Sequence, residues 1–541
     1  MRTTPKDGGT SSSYWLDADV PTYIAPPPAD TEICVVGAGI AGLTTAFELA
    51  RRGVQVTVLD DGPIGGGETG RTSAHLTSAV DDHYVALEAA FGERGARMVA
   101  ESHTTAIDYI EAMVHELAID CDFRRVDGYL ISPPGGPPDT SLLTREFAAA
   151  RRAGLSCELV EHAPLPFETG RALRFANQAE FHPLRYLRAL AGAVVAQGGS
   201  IHTGVHVDAI TPGEPVHVRL AGGGEVRARS LVDATNGAFT SQLHLPLRQA
   251  AYRSYVIAFA MPAHHVPHAL FWDTLDPYHY LRVAADPAHG EVLLVGGNDH
   301  RTGQGEPETQ WKHLENWTRQ LFPRLGRIVA RWSGQILEPA DMVAHIGRSP
   351  EHAHVYVVTG DSGEGLTHGT IAGLMLPELL HGQRPRWAGI YDPRRSHLRA
   401  AGTLLAEALH SSAPYTDWLR SGDVDALDDI PPGEGAVLRR GLHMIAAYRD
   451  ESGSCHLRSA SCPHLRGVVH WNAAEKTWDC PCHGSRFDRY GRVVNGPAAT
   501  DLAPVEAPVT EHIPVHAPAR RDPEEPALAF GATAPLERDQ P

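Results

Sequence analysis

The chain has 541 residues, 42% hydrophobic and 21% charged, with 53 Gly and 41 Pro, which is globular composition rather than low-complexity disorder; at roughly 150 residues per domain it holds about three to four folding units. The net charge of −18 repels phosphate backbones and argues against a nucleic-acid partner. Apolar runs are too short for a membrane span, and the N-terminus has neither an apolar signal core nor a twin Arg, so a cytoplasmic protein is expected.

Residues 1–30 are polar and end in Pro26–Pro28, which predicts an arm laid on a surface or left disordered. Ile33–Val36 is a short apolar run suited to a buried parallel strand. Gly37-x-Gly39-x-x-Gly42 follows, then a helical pattern over about 42–52, Gly53, and a second strand, Val54–Leu59, ending at Asp60. Gly37 allows the tight turn, Gly39 admits a pyrophosphate, Gly42 lets the helix pack close to the sheet, and a carboxylate at Asp60 suits ribose hydroxyls. Strand, turn and helix signals alternate to about residue 240. Between 250 and 340, runs such as Tyr255–Met261 and Glu291–Val295 predict a mostly antiparallel sheet. Gly222–Gly224 and Gly296-Gly297 read as turns, so no second dinucleotide fingerprint is found. A second strand–glycine–helix unit spans 354–381, with Gly360, Gly363 and Gly365 before a helix starting near Thr367. Its N-terminus would place partial positive charge against an anionic edge of a ligand. The acidic, Pro- and Gly-rich stretch 423–435 reads as a linker, residues 436–516 as short strands and turns, and residues 517–541 as a disordered tail.

Seven Cys are unevenly placed: Cys34, Cys121 and Cys157 are scattered, but Cys455, Cys462, Cys480 and Cys482 crowd together. Cys462-x-His464 and Cys480-x-x-His483 give two short loops, each with one Cys and one His. Two thiolates on one iron and two imidazoles on the other define a Rieske [2Fe–2S] centre. A Cys₂His₂ zinc site is the competitor, but it usually pairs its Cys in one loop and sets its His on a helix; His483-Gly484-Ser485 is a poor helix.

Beyond these motifs, Gly65–Ser73 (GGGETGRTS), Leu231–Gly237 (LVDATNG) and Val355–Gly369 (VYVVTGDSGEGLTHG) resemble conserved blocks of the D-amino acid oxidase (DAO) and glycine oxidase superfamily. Trp471–Phe487 and the Gly496-Pro497 turn resemble Rieske domains. Together, over about 31–516, the chain resembles bacterial FAD-dependent oxidoreductases with a C-terminal Rieske domain. The resemblance implies an α/β FAD-binding domain of the glutathione-reductase-like, DAO type with an antiparallel-sheet substrate domain, plus an all-β C-terminal Rieske domain. The oxidoreductase would span 31–422, with FAD-binding parts at about 31–110, 180–245 and 340–395 and the substrate sheet mainly at 246–339. It also implies FAD held by Gly37, Gly39, Gly42, Asp60, Arg71, Thr72, Val207, Thr235, Gly363, Gly365, Leu366 and Thr367, and one [2Fe–2S] cluster on Cys462, His464, Cys480 and His483. His75 could bond covalently to FAD, but Arg71 stands at the position where the family link is expected, which favours non-covalent FAD.

The implied reaction is oxidation of the C–N bond of an amine or amino-acid-like small molecule, with electrons relayed from flavin to cluster and on to an outside acceptor or oxygen. Candidate substrate-side residues are Tyr278, Tyr280, Arg282 and Arg253. The Arg that grips a substrate carboxylate in the amino-acid oxidase branch is missing at Gly334-Gln335-Ile336. Two departures mark the cluster region. Many Rieske domains carry a Gly-Cys pair where this chain has Arg466-Gly467, which leaves Cys482 without the expected disulfide partner. Phe487 replaces a Tyr of high-potential members, which predicts a lower potential. The alternative functions are an NAD(P)H-driven electron-transfer reductase and a non-enzymatic redox sensor.

Overall fold

The computed structural model describes residues 10–134, 140–395 and 413–505. The readings on residues 1–9, 506–516 and the tail 517–541 lie outside the described residues. Ile33–Val36 is the middle of a parallel sheet. The strand Asp30–Val36 is flanked by Val56–Asp60 on one side and Glu225–Asp233 on the other. Ser200–Thr203 extends the sheet beyond Val56–Asp60, and Val355–Thr359 beyond Glu225–Asp233, with antiparallel His345–Arg348 at that edge. Cys34 and Val35 are fully buried, as a strand covered on both faces requires.

Two nearly all-buried helices, Ile40–Ala50 and Gly365–Leu380, pack side by side. Glycine makes the contact possible: a Cβ at Gly373 would lie 2.3 Å from Thr44 Cγ2, and one at Gly369 would lie 2.7 Å from Ile40 Cγ2. The two helices therefore run in the same direction and bring their N-termini, with their unpaired N–H groups, to one place.

The second sheet is larger than the 246–339 segment alone predicts. Its strands run in the order Ile328–Pro339, Gln249–Ala260, Gly290–Arg301, His279–Asp286, Leu270–Asp273, Arg124–Ile131, Ala172–Glu180, His75–Leu76, with Cys157–Val160 also on Ala172–Glu180. Gly296 and Gly297 correct the turn reading: both lie inside the strand Gly290–Arg301, opposite Tyr280 and His279. A Cβ at Gly296 would sit 2.1 Å from Tyr280 Cζ, so that glycine leaves room for an aromatic ring lying across the sheet.

The arm is anchored rather than loose. Trp15 is buried, and its Nε1 donates to Thr72 O at 2.7 Å. Residues 413–419 and 427–429 form 3₁₀ turns. From Glu434 the described chain is all β: a three-stranded antiparallel sheet (Glu434–Arg440, His443–Arg449, Cys455–Ser459) and a four-stranded one (His470–Asn472, Thr477–Asp479, Arg486–Asp488, Val493–Asn495). Both sheets belong to the same compact unit as the two larger ones, a unit that ends at Val505. No helix among the described residues is long and apolar enough to cross a membrane.

Candidate functional site

The first glycine turn closes tightly. Gly37 has φ +108°, and a Cβ there would lie 2.4 Å from Ala234 O; one at Gly42 would lie 1.9 Å from Gly37 O. Asp60 ends the second strand, where its Oδ2 accepts from Ala38 N at 2.6 Å and its Oδ1 from Gly62 N at 2.8 Å. A buried carboxylate that the motif did not reveal, Asp233, shapes the neighbouring Ala234–Gly237 turn by accepting from Thr235 Oγ1 at 2.6 Å and Thr240 Oγ1 at 2.8 Å.

One large cavity starts at this turn and continues under the second sheet. It is lined by Gly37, Gly39, Asp60, Arg71, Thr72, Val207, Thr235, Gly363, Gly365, Leu366 and Thr367. Of the twelve proposed FAD contacts only Gly42 is missing from the lining, consistent with its role in packing the helix onto the turn. The cavity also presents two orphaned polar atoms. Asn236 Nδ2 and His75 Nε2 are buried without a partner, and both residues line it. Glycine backbone, two helix N-termini, a ribose-side carboxylate and unsatisfied nitrogens suit a flavin dinucleotide in donor set and shape.

At its far end the cavity is walled by Tyr278, Tyr280 and Trp272. Ser254 Oγ and Tyr280 OH lie 3.0 Å apart. Tyr278 OH donates to Asp81 Oδ2 at 2.6 Å, and Asp81 N donates to Glu364 Oε1 at 3.1 Å. Behind them, Glu364 Oε2 lies 2.8 Å from His103 Nδ1, and His103 Nε2 lies 3.3 Å from His368 Nε2. Burial, and then repulsion from Glu364, hold the Asp81 carboxyl well above the usual range. Burial lifts Glu364 in the same direction and pushes Asp361 up to about 7. Neither Asp81 nor Glu364 stands out in the sequence, although Glu364 lies inside the quoted GDSGEG block.

The two candidate arginines do not line the cavity. Arg282 is buried and points away, where its Nε donates to Ser73 O at 2.8 Å and its Nη1 meets Glu180 Oε2 at 3.3 Å. Arg253 lies buried 3.6 Å from Glu475. Arg71 is the one Lys or Arg among the described lining residues, and it is held by Ser333 O at 2.9 Å and Ser11 O at 3.0 Å.

The second motif folds into two matching loops. Cys462 N donates to Gly467 O at 2.9 Å in one, and Cys480 N donates to Ser485 O at 2.8 Å in the other. The buried Cys462 thiol reaches Cys480 and Ser485. The His464 and His483 rings meet edge to face, 5.1 Å between centroids at 90°. His483 Nε2 is buried without a partner, while His464 Nε2 lies 2.9 Å from Gln242 O. Thiol is thus paired with thiol and ring with ring. Among the described residues no three His, Cys, Asp or Glu side chains are placed to hold a metal ion, whereas one zinc needs four ligands about a single centre. The donors fit a cluster with thiolates on one iron and imidazoles on the other. Cys482 is a free thiol packed over Gly467, where a Cβ would lie 2.4 Å from its Sγ. Arg466 sits at φ +63°, in the left-handed region.

The comparisons agree with both halves. The model of the FAD dependent oxidoreductase (DAO) family matches residues 32–379, and that of the Rieske [2Fe-2S] domain matches 421–507. The chain is 32% identical over 505 residues to the Rieske 2Fe-2S iron-sulfur protein YhfW of Bacillus subtilis (strain 168), covering 91% of this chain and 97% of that protein. It is 26% identical over 408 residues to the gamma-glutamylputrescine oxidoreductase of Escherichia coli (strain K12), covering 70% and 92%. The structure of L-proline dehydrogenase from P. horikoshii superposes with a TM-score of 0.58 at 20% identity, covering 68% of this chain and 98% of that one, which shows a common fold. The chain belongs to the FAD dependent oxidoreductase (DAO) family, carries a C-terminal Rieske [2Fe-2S] domain, and is an FAD- and [2Fe-2S]-dependent oxidoreductase.

Proposed function

We propose that this protein oxidises the C–N bond of a cationic amine and passes the electrons singly to the Rieske cluster and then to an outside acceptor. One observation carries the substrate class: the described cavity lining carries six carboxyl groups, Asp60, Asp61, Glu68, Asp81, Asp361 and Glu364, and one Lys or Arg, Arg71, whose Nη1 and Nη2 are taken by Ser333 O and Ser11 O. Asp81 and Glu364, held toward their protonated forms, offer a carboxylate substrate no cationic partner, whereas an ammonium group can donate to their oxygens and its charge draws them toward ionisation. The relative from Escherichia coli is by its name an oxidoreductase of gamma-glutamylputrescine, which carries an amine and also a carboxylate, so it supports C–N oxidation of an amine and not the exclusion of a carboxylate.

Bound FAD supplies a two-electron acceptor beside the substrate carbon, and the cluster supplies a one-electron store. Tyr278, Tyr280 and Trp272 would enclose the alkyl part of the substrate and exclude water. The ammonium's charge would favour the ionised form of Asp81, which, with Tyr278 OH fixing one of its oxygens, would hold the ammonium and accept its proton, leaving the nitrogen lone pair free. Glu364 and the His103–His368 pair continue the polar chain inward from Asp81.

The test is an anaerobic screen of diamines, monoamines and α-amino acids, followed by bleaching of the flavin absorbance. Bleaching by amines without a carboxylate, faster than by matched amino acids, is expected. Preferential bleaching by amino acids would reject the substrate class.

A further inference from the structure

We infer that the segment Val493–Ala499 of the Rieske domain is a structural part of the FAD site. It forms one wall of the FAD cavity and leads directly to the cluster loops. The inference holds whatever the substrate is and whichever way electrons run, because it concerns binding of the cofactor alone.

Four observations carry it. The cavity lined by Gly37, Asp60 and Thr235 is also lined by Val493, Val494, Asn495, Gly496, Ala498 and Ala499. The segment is fastened at both ends to residues lining the same cavity. Asn495 Nδ2 donates to Glu68 Oε1 at 2.8 Å, and His206 bridges Ala499 O at 2.8 Å to Asp61 Oδ2 at 3.1 Å. Its middle touches the Ala234–Gly237 turn with no side chain between. A Cβ at Gly237 would lie 2.7 Å from Gly496 C and 2.8 Å from Gly496 Cα, inside van der Waals contact. Finally, Ala498 N donates to Ser485 Oγ at 3.0 Å, and Ser485 is within reach of the Cys462 thiol. One seven-residue segment therefore borders both cofactor sites. A Rieske domain merely tethered to a complete flavoprotein would leave that wall to the flavoprotein itself.

Glycine at 237 is not explained by its own backbone, which does not adopt a positive φ. Its Cα faces Gly496, so G237A is a wedge between the two parts with little intrinsic strain. In the reverse direction a Cβ at Gly496 would rest 3.5 Å from Gly237 Cα, an ordinary contact; because Gly496 itself lines the cavity, the control is L442S, at an exposed Rieske-domain position outside the lining. N495D acts from the Rieske side only, because it sets a carboxylate against Glu68 and leaves every residue of the flavin domain unchanged.

The experiment uses the full-length, cluster-loaded chain stripped of FAD. FAD is titrated back and followed by quenching of its fluorescence, with iron content and far-ultraviolet circular dichroism checked for each variant. Wild type and L442S are expected to bind FAD within about threefold of each other, and N495D and G237A about tenfold or more weakly. The EPR g-values of the dithionite-reduced cluster should also shift when FAD is added to wild type, and this shift should be lost in G237A. If N495D retains its iron and binds FAD within about threefold of wild type, the inference is overturned. Weakening confined to G237A would assign the effect to the Ala234–Gly237 turn alone and would overturn it as well.

Discussion

Removing the charge of Glu475 should loosen the Rieske domain, and the size of the effect follows from the geometry. Arg253 Nη2 lies 3.6 Å from Glu475 Oε1, with the side chains 1% and 0% exposed. Arg253 Nε and Nη1 have no hydrogen-bond partner. Burial, and then the nearby Arg486, weaken its hold on a proton, down to about 10, so it stays cationic at neutral pH. At an effective dielectric constant of about 20, two unit charges at that separation attract by about 4.6 kcal/mol. That agrees with roughly 3–5 kcal/mol for leaving a buried charge unpaired. E475Q should therefore cost about 3–5 kcal/mol.

The reverse variant should cost less. Without Arg253, Glu475 still accepts from Ser11 N at 3.0 Å, Ser11 Oγ at 2.6 Å and Ser333 Oγ, so R253M should cost roughly 1–2 kcal/mol. The double variant should resemble R253M, giving a coupling energy of about 3–5 kcal/mol, the whole cost of E475Q. The assay is urea unfolding of the loaded protein, read separately by flavin fluorescence and by the visible absorbance of the cluster. An E475Q cost no greater than that of R253M, or both within about 0.5 kcal/mol of wild type, would refute the reasoning. Because Arg253 does not line the cavity, R253M should also leave the Michaelis constant for the amine unchanged.

D81N should raise the dissociation constant of a cationic amine about 10- to 100-fold, measured by perturbation of the flavin spectrum; an unchanged constant would remove Asp81 from the site. Burial pushes Asp299, Asp361 and Glu146 each up to about 7, so the folded state holds protons that the unfolded chain has released. The stability they confer is fully present below the unfolded range near pH 4 and is lost as pH rises through about 7. From these three groups the unfolding free energy should fall by roughly 2 kcal/mol between about pH 6.5 and 8. Urea titrations across that range would expose a flat profile if the carboxylates are ionised in the fold. G467C should form a disulfide with Cys482, because a Cβ at 467 falls beside that sulfur. Closing a loop of about 15 residues should add up to about 3 kcal/mol, and a thiol count that stays at seven in the wild type and rises to eight in the oxidised variant would rule it out.

Legibility in the sequence followed the range of the interactions. The turn at Gly37–Gly42 and the loops at Cys462–Gly467 and Cys480–Ser485 are local, with each residue type dictated by the backbone or by a ligand a few positions away. Their strand–turn–helix and loop settings are visible from spacing. The helix Gly365–Leu380 follows its glycine turn for the same reason. The second sheet was only half visible, because Arg124–Ile131 pairs with Leu270–Asp273, 142 residues further on, and Ala172–Glu180 pairs with Arg124–Ile131, 41 to 56 residues back, and no local pattern encodes that. The partners of Arg253 and Arg282 were hidden for the same reason. Each looks like a free cation on a strand, yet Arg253 meets Glu475 and Arg282 meets Glu180, far along the chain. Tyr278 and Tyr280 do reach the cavity, but what they do there depends on Asp81, nearly two hundred residues earlier.

The central claim is that substrate electrons pass from FAD to the Rieske cluster within this chain. Rapid anaerobic mixing with a substrate amine, freeze-quenched at intervals and read by EPR, tests it most directly. The reduced-cluster signal should grow as the flavin band, bleached at first, partly recovers. A flavin that stays fully reduced while the cluster remains EPR-silent would contradict the claim.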